Sequence, residues 1–157
     1  MLGIALAILG AVTAVIFAGI GSTLGVGRAG QAGAGLTSEE PEKFGKVLVL
    51  QALPGTQGIY GFLGAVLALQ KIGLLGGTVA DISWQTGLQV FAACLPIAIT
   101  GLFSGIFQGK VATAGISMIA KRPETSGKAI ILAAMVETYA VIGLLATILM
   151  INGVNVA

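Results

Sequence analysis

Ile130-Ile-Leu-Ala-Ala-Met-Val-Glu137-Thr-Tyr-Ala-Val-Ile142 is an apolar run interrupted at its middle by one carboxylate. A run of this kind reads as the centre of a membrane-spanning helix, and an acid at that depth is costly enough to be a functional residue by default. Extending the run both ways gives a span near 127–152. Three similar spans precede it, near 3–36, 45–71 and 87–119. Each is long enough to cross a hydrocarbon core about 30 Å thick, which needs roughly 20 apolar residues. The expected fold is all-α: one membrane domain over 1–157, four transmembrane helices, and little chain left for anything else.

Composition agrees. Hydrophobic residues make up 56% of the chain and charged ones 9%, against about a quarter charged in soluble domains. Mean hydropathy is +1.02. The net charge of +2 forms no basic stripe, and aromatic residues are few, so no nucleic-acid partner is expected. The chain has no His, the commonest metal ligand and general base. Cys94 is a lone cysteine in an apolar run and reads as a small buried hydrophobe. No Lys or Arg precedes the first apolar stretch, which runs past Gly35; it is not expected to be a signal peptide. Gly25-Val-Gly27-Arg-Ala-Gly30 matches the dinucleotide-binding GxGxxG pattern but sits inside an apolar helix, without the strand and turn that pattern requires.

The four spans are two copies of one hairpin. A single constant offset pairs Pro41-Glu42 with Pro123-Glu124, Gly45-Lys46 with Gly127-Lys128, Gly19 with Gly101, Ser22 with Ser104, Gly27 with Gly109, Gly33 with Gly115, Thr56 with Thr138 and Gly61 with Gly143. The repeats are expected at about 1–72 and 83–154, in the same orientation. Lys43, Lys46, Lys121, Arg122 and Lys128 flank the first and third connections. By the positive-inside rule the loops near 37–44 and 120–126 face the cytoplasm and both termini lie outside. The first helix carries glycines throughout, a cost of roughly 1 kcal/mol each in water. In lipid such residues let helices approach closely, which suits a packed ring of like helices.

Depth can be counted from the two cytoplasmic prolines. The stretch from Pro123 to Glu137 is nearly as long as that from Gln108 to Pro123, and as those from Pro41 to Thr56 and Gln57. At about 1.5 Å per residue all four side chains fall roughly 21–24 Å from the connections, in one layer. Tyr60 is one turn beyond Gln57. Gln57, Gln108 and Thr56 offer neutral oxygens and Glu137 an anionic one. Pro54 should bend its helix and release a backbone oxygen, such as that of Leu53, toward the same layer. One carboxylate among neutral oxygens suits a monovalent hard cation better than Ca²⁺, which gathers several carboxylates. A proton site would leave the two glutamines and the threonine surplus, so Na⁺ is favoured over H⁺. In the first repeat the position of Glu137 is Gly55, which leaves one charge per four helices.

Leu53-Pro-Gly-Thr-Gln-Gly-Ile-Tyr60, Gly101-Leu-Phe-Ser-Gly-Ile-Phe-Gln-Gly-Lys110 and Met135-Val-Glu-Thr-Tyr139 together resemble the proteolipids of V-type ATPases. The likeness covers nearly the whole chain and is nearest to the subunit K group of bacterial sodium-translocating enzymes. It implies a homo-oligomeric rotor ring in the cell membrane, turned by an ATP-driven motor through a central-stalk subunit, against a static membrane subunit and surrounded by lipid. It implies that the chain itself performs no covalent chemistry and binds no nucleotide. It also implies Na⁺, with Li⁺ as a mimic, held by the Leu53 carbonyl, Thr56, Gln57, Gln108 and Glu137, with Tyr60 hydrogen-bonded to the glutamate. Rival readings are the same rotor carrying H⁺, a small cation/proton antiporter, which would want an aromatic-lined cavity, and a purely structural packing protein. The resemblance gives no role to Arg28.

Overall fold

The computed structural model describes residues 1–156. Four long helices run α1 (Leu2–Glu39), α2 (Pro41–Lys71), α3 (Trp84–Lys121) and α4 (Pro123–Gly153), each long and apolar enough to cross a membrane. They begin one to four residues before the apolar spans read from sequence and end at most three residues after them, α2 at the same Lys71. The extra turns are polar and helical, because a helix does not stop where the hydrocarbon does. At 38 residues, α1 and α3 rise about 57 Å, well beyond a hydrocarbon layer of about 30 Å.

The two hairpins turn in the same way. Leaving α1, the chain turns through Glu40 (φ −136°) into a single 3₁₀ turn at Pro41–Lys43, and the second hairpin does the same at Arg122 and Pro123–Thr125. Proline suits the first position of a helix, where its missing N–H is not needed. Between the hairpins lies a looser connection. It turns at Gly73 and Gly77, both left-handed at φ 77° and 76°. A side chain at Gly73 would also collide with the Thr78 carbonyl, so that position requires glycine. Ser83 then caps α3, its hydroxyl accepting the Thr86 N–H at 3.1 Å.

Helices α1 and α3 lie against each other over their length, with α2 packed on α1 and α4 on α3. The central contact is backbone on backbone. A Cβ on Gly21 would fall 2.5 Å from the Leu102 carbonyl oxygen, and one on Gly105 would fall 2.5 Å from the Gly21 carbonyl carbon. Dispersion across so short a gap replaces the hydrophobic drive that lipid does not provide. Two apolar cores result. One joins Ala7, Ala14, Ala68, Val90, Cys94, Ile97 and Ile151; the other joins Ala29, Val47, Leu50, Ala112, Ile116 and Ala133. Between them, at residues 18–25, 54–61, 101–109 and 136–140 of the four helices, lies a layer whose buried positions are small or polar.

Helix ends are tied across the repeats. Lys43, almost fully buried, donates to the Ala120 carbonyl at 3.1 Å and pairs with Glu40. Lys71 donates to the Asn152 carbonyl at 3.3 Å. Each ammonium meets the unsatisfied carbonyl end of a helix from the other hairpin. Pro96 does not break α3. Its carbonyl accepts from the Thr100 hydroxyl at 2.7 Å, and the next amide, Ile97 N–H, reaches the buried Thr147 hydroxyl of α4 at 3.2 Å. Side-chain hydroxyls of this kind are how membrane helices accommodate proline.

Candidate functional site

The middle layer is built around a proline. Pro54 cannot donate to the Leu50 carbonyl, and α2 tightens into a 3₁₀ turn at Leu53–Gly55 before resuming at Thr56. The expected bend thus takes the form of one overwound turn. It brings the Gly58 N–H to the Ser22 hydroxyl of α1 at 2.7 Å, and it sets Gln57 on the face turned to α3. The Leu53 carbonyl and Thr56 are joined to each other: the Thr56 hydroxyl donates to that carbonyl at 3.0 Å.

Gln57 and Gln108 have no solvent exposure at all. The Gln57 NH₂ donates to the Ser104 hydroxyl at 3.0 Å and to the Gln108 side-chain carbonyl. The Gln108 NH₂ in turn donates to Glu137 Oε2 at 3.4 Å. Tyr60 donates its hydroxyl to Glu137 Oε1 at 2.6 Å. Three helices therefore converge on one carboxylate, with Gln57 and Tyr60 from α2, Gln108 from α3 and Glu137 from α4. One polar atom in this cluster is left over. Gln57 Oε1 is buried and has no hydrogen-bond partner, a condition that costs about 1–3 kcal/mol in a dry interior.

Ser104 is a member of the cluster that the sequence did not mark. Its hydroxyl donates to the Val136 carbonyl at 3.0 Å while accepting from Gln57. Two signals were present: its spacing one helical turn from Gln108, which puts both on one helix face, and its pairing with Ser22 across the repeat. Arg28 is exposed on α1 and takes no part.

Chemically, the cluster presents oxygen donors around one carboxylate. It offers one anionic oxygen pair, an unpartnered amide oxygen and a second amide, a hard donor set, while the Thr56 hydroxyl and Leu53 carbonyl bond to each other. It contains no nucleophile–base pair.

Comparison with known proteins agrees with the repeat. The family model of the ATP synthase C subunit matches twice, at residues 9–68 and 91–150, and the two matches are displaced by the same interval that pairs Pro41 with Pro123. V-type sodium ATPase subunit K of Enterococcus hirae is 54% identical, over 95% of this chain and 92% of its own length. A-type ATP synthase subunit K of Methanocaldococcus jannaschii is 44% identical over 92% of this chain and 61% of its own length. The 16 kDa proteolipid of the human V-type proton ATPase is 26% identical over 92% of this chain and 89% of its own. With four apolar helices in two tandem copies of that domain, the chain belongs to the ATP synthase C subunit family, as a multi-pass membrane proteolipid of the V/A-type ATPases.

Proposed function

We propose that each copy of this chain carries one Na⁺ at Glu137 while a ring of copies turns past a static membrane subunit. Relatives named for sodium and for protons share the family, so descent alone does not choose the ion, although the 54% identical relative is a sodium enzyme. The observation that carries the choice is the buried, unpartnered Gln57 Oε1 beside the Gln108–Glu137 pair. A proton on Glu137 would leave that oxygen orphaned. A metal cation gives it a partner and neutralises the carboxylate together.

Neutralisation is the physical requirement for rotation, because an ionised carboxylate facing hydrocarbon costs several kcal/mol. In this reading Glu137 and Gln57 Oε1 are the first ligands. Gln108 joins through the second lone pair of its side-chain carbonyl, which keeps the Gln57 NH₂ as its other partner. Thr56 and the Leu53 carbonyl complete the set from the 3₁₀ turn. Tyr60 holds Oε1 and with it the side-chain rotamer, so the ion leaves only where another group draws Glu137 away. The static membrane subunit supplies that group, and a central-stalk subunit transmits torque from the ATP-driven motor. Li⁺, smaller and of equal charge, would substitute for Na⁺. The lysine-rich α1–α2 and α3–α4 connections face the cytoplasm and both termini face out.

The test is carbodiimide modification of Glu137 at neutral pH. Na⁺ and Li⁺ are expected to protect at millimolar or lower concentration, and K⁺ to protect poorly. If Na⁺ gives no protection and only acid alters labelling, the chain carries protons.

A further inference from the structure

We infer that the next copy in the ring seats its α1 ridge Gly19–Thr23–Gly27 in the groove between α3 and α4, against Thr100, Phe103 and Phe107. This rests on the ring reading above and adds the faces that meet. The reason lies in the repeat. Within one copy, α3 packs on α1 through Gly101, Gly105 and Gly109, which meet Ala18, Gly21 and Gly25 respectively. Shifting both sides by one repeat turns the α3 ridge into Gly19, Thr23 and Gly27 of α1. It turns the surface that ridge meets into Thr100, Phe103 and Phe107 of α3.

Both shifted surfaces are largely open in the single chain, although the Lys110 ammonium lies over the Phe107 ring, 4.7 Å from its centroid. A Cβ on Gly19 or Gly27 would meet nothing within 4 Å, whereas one on Gly101 or Gly109 would collide with α1. Phe103 and Phe107 are 53% and 49% exposed. With Thr100 and Tyr139 they line an apolar cavity of about 410 Å³. The docking is therefore a continuation of an interface the molecule already contains, one repeat further on.

The continuation is not identical, and the differences carry chemistry. Gly21 and Gly25 have become Phe103 and Phe107, so the seam between copies is wider than the glycine-on-glycine seam within one, and rings fill it. Gln57, which reaches Ser104 within a copy, has become Tyr139, and Ser104 has become Ser22, whose hydroxyl already accepts the Gly58 N–H of its own copy. Glu137 and Gln108 correspond to Gly55 and Val26 of that next copy. The ring thus alternates a close seam that contains Glu137 with a broad one of the same ancestry, where Arg28 beside Gly27 and Lys110 over Phe107 are the charged groups and no carboxylate is present.

Gly27 and Phe107 lie two residues from Gly25 and Gly109, about 200° around their helices, on opposite outer sides of the α1–α3 pair. A short bridge between them joins two copies and not one. With Cys94→Ala as background, Gly27→Cys and Phe107→Cys chains are co-expressed, and a chain carrying both is made separately. Oxidation or a short bismaleimide is expected to give dimers in the first case and a ladder of multimers in the second. Gly27→Cys with Ile59→Cys, which is 65% exposed on α2, is expected to give none. Native mass spectrometry of the purified oligomer separates the outcomes. A closed oligomer that links through Gly27–Ile59, or fails to link through Gly27–Phe107, overturns this docking and leaves the ring standing. A monomer overturns both. Gly27→Leu is expected to abolish the closed oligomer and Gly45→Leu, equally open but on α2, to leave it; equal behaviour of the two counts against the seam.

Discussion

Replacing Gln57 by Leu separates the two tasks its amide performs. Leu is similar in size, apolar, and suited to a position with no exposure. The substitution removes the bonds to Ser104 and Gln108 and strands the buried Gln108 carbonyl, a loss of about 1–3 kcal/mol. It also removes the one orphaned oxygen in the cluster, which returns a similar amount, and it places an apolar side chain in an apolar core. Folding stability should therefore change by less than about 2 kcal/mol. Ion binding has no such offset. An interaction between a charge and a neutral oxygen is worth about 1.5–3 kcal/mol, which corresponds to a Na⁺ affinity roughly 10- to 150-fold weaker. The assay is the Na⁺ concentration that half-protects Glu137 from carbodiimide, checked by ²²Na⁺ binding to the purified oligomer. Labelling without Na⁺ must persist, which controls for folding. A midpoint within about twofold of the parent's would refute the reasoning, since it would mean the buried amide oxygen does not meet the ion.

Tyr60→Phe removes the 2.6 Å bond to Glu137 without touching a proposed ligand, so Na⁺ exchange rates measured by ²²Na⁺ release should rise more than equilibrium affinity falls. Gly105→Ala forces a methyl to within 2.5 Å of the Gly21 backbone, where neither helix can yield; thermal unfolding should register a loss of about 1–3 kcal/mol or more. Thr147→Val leaves the Ile97 N–H without its hydroxyl partner beside Pro96. The cost is expected near 0.6 kcal/mol, about the average for such bonds between membrane helices, with a melting temperature about 1–3 °C lower.

Much of this fold is legible because lipid restricts the alternatives. Away from the prolines, backbone amides in lipid are satisfied inside their own segment, so an apolar run of sufficient length reads as a helix, and the four spans follow. The depth count works for the same reason: a fixed rise per residue turns sequence separation into height, which is why Gln57, Gln108 and Glu137 could be assigned to one layer. Azimuth is harder. Height says that Thr56 and Gln57 are level, but not that Gln57 points inward at Gln108 while Thr56 turns back on the Leu53 carbonyl. That division is set by the 3₁₀ turn after Leu53, a local change of winding that proline permits without dictating. The tie from Lys43 to Ala120, 77 residues away, depends on how hairpins dock and has no local signature at all.

Ser104 shows what azimuth conceals. A serine in a membrane helix ordinarily bonds back to its own preceding turn, and the spacing from Gln108 and the pairing with Ser22 do not tell where the Ser104 proton goes. In the structure its single proton goes across to the Val136 carbonyl of α4, so its oxygen can only accept. That fixes the sense of everything beyond it. The Gln57 group facing Ser104 must be the NH₂, which also donates to the Gln108 carbonyl. The Gln108 NH₂ is thereby turned to Glu137, and the atom left unpaired in the cluster is an oxygen of Gln57 and not a nitrogen. Reversing Gln57 alone would set its carbonyl against that of Gln108 and leave an N–H where the proposed cation needs a lone pair. The lone pair that the proposed cation would meet thus rests on the direction in which the Ser104 hydroxyl gives its hydrogen.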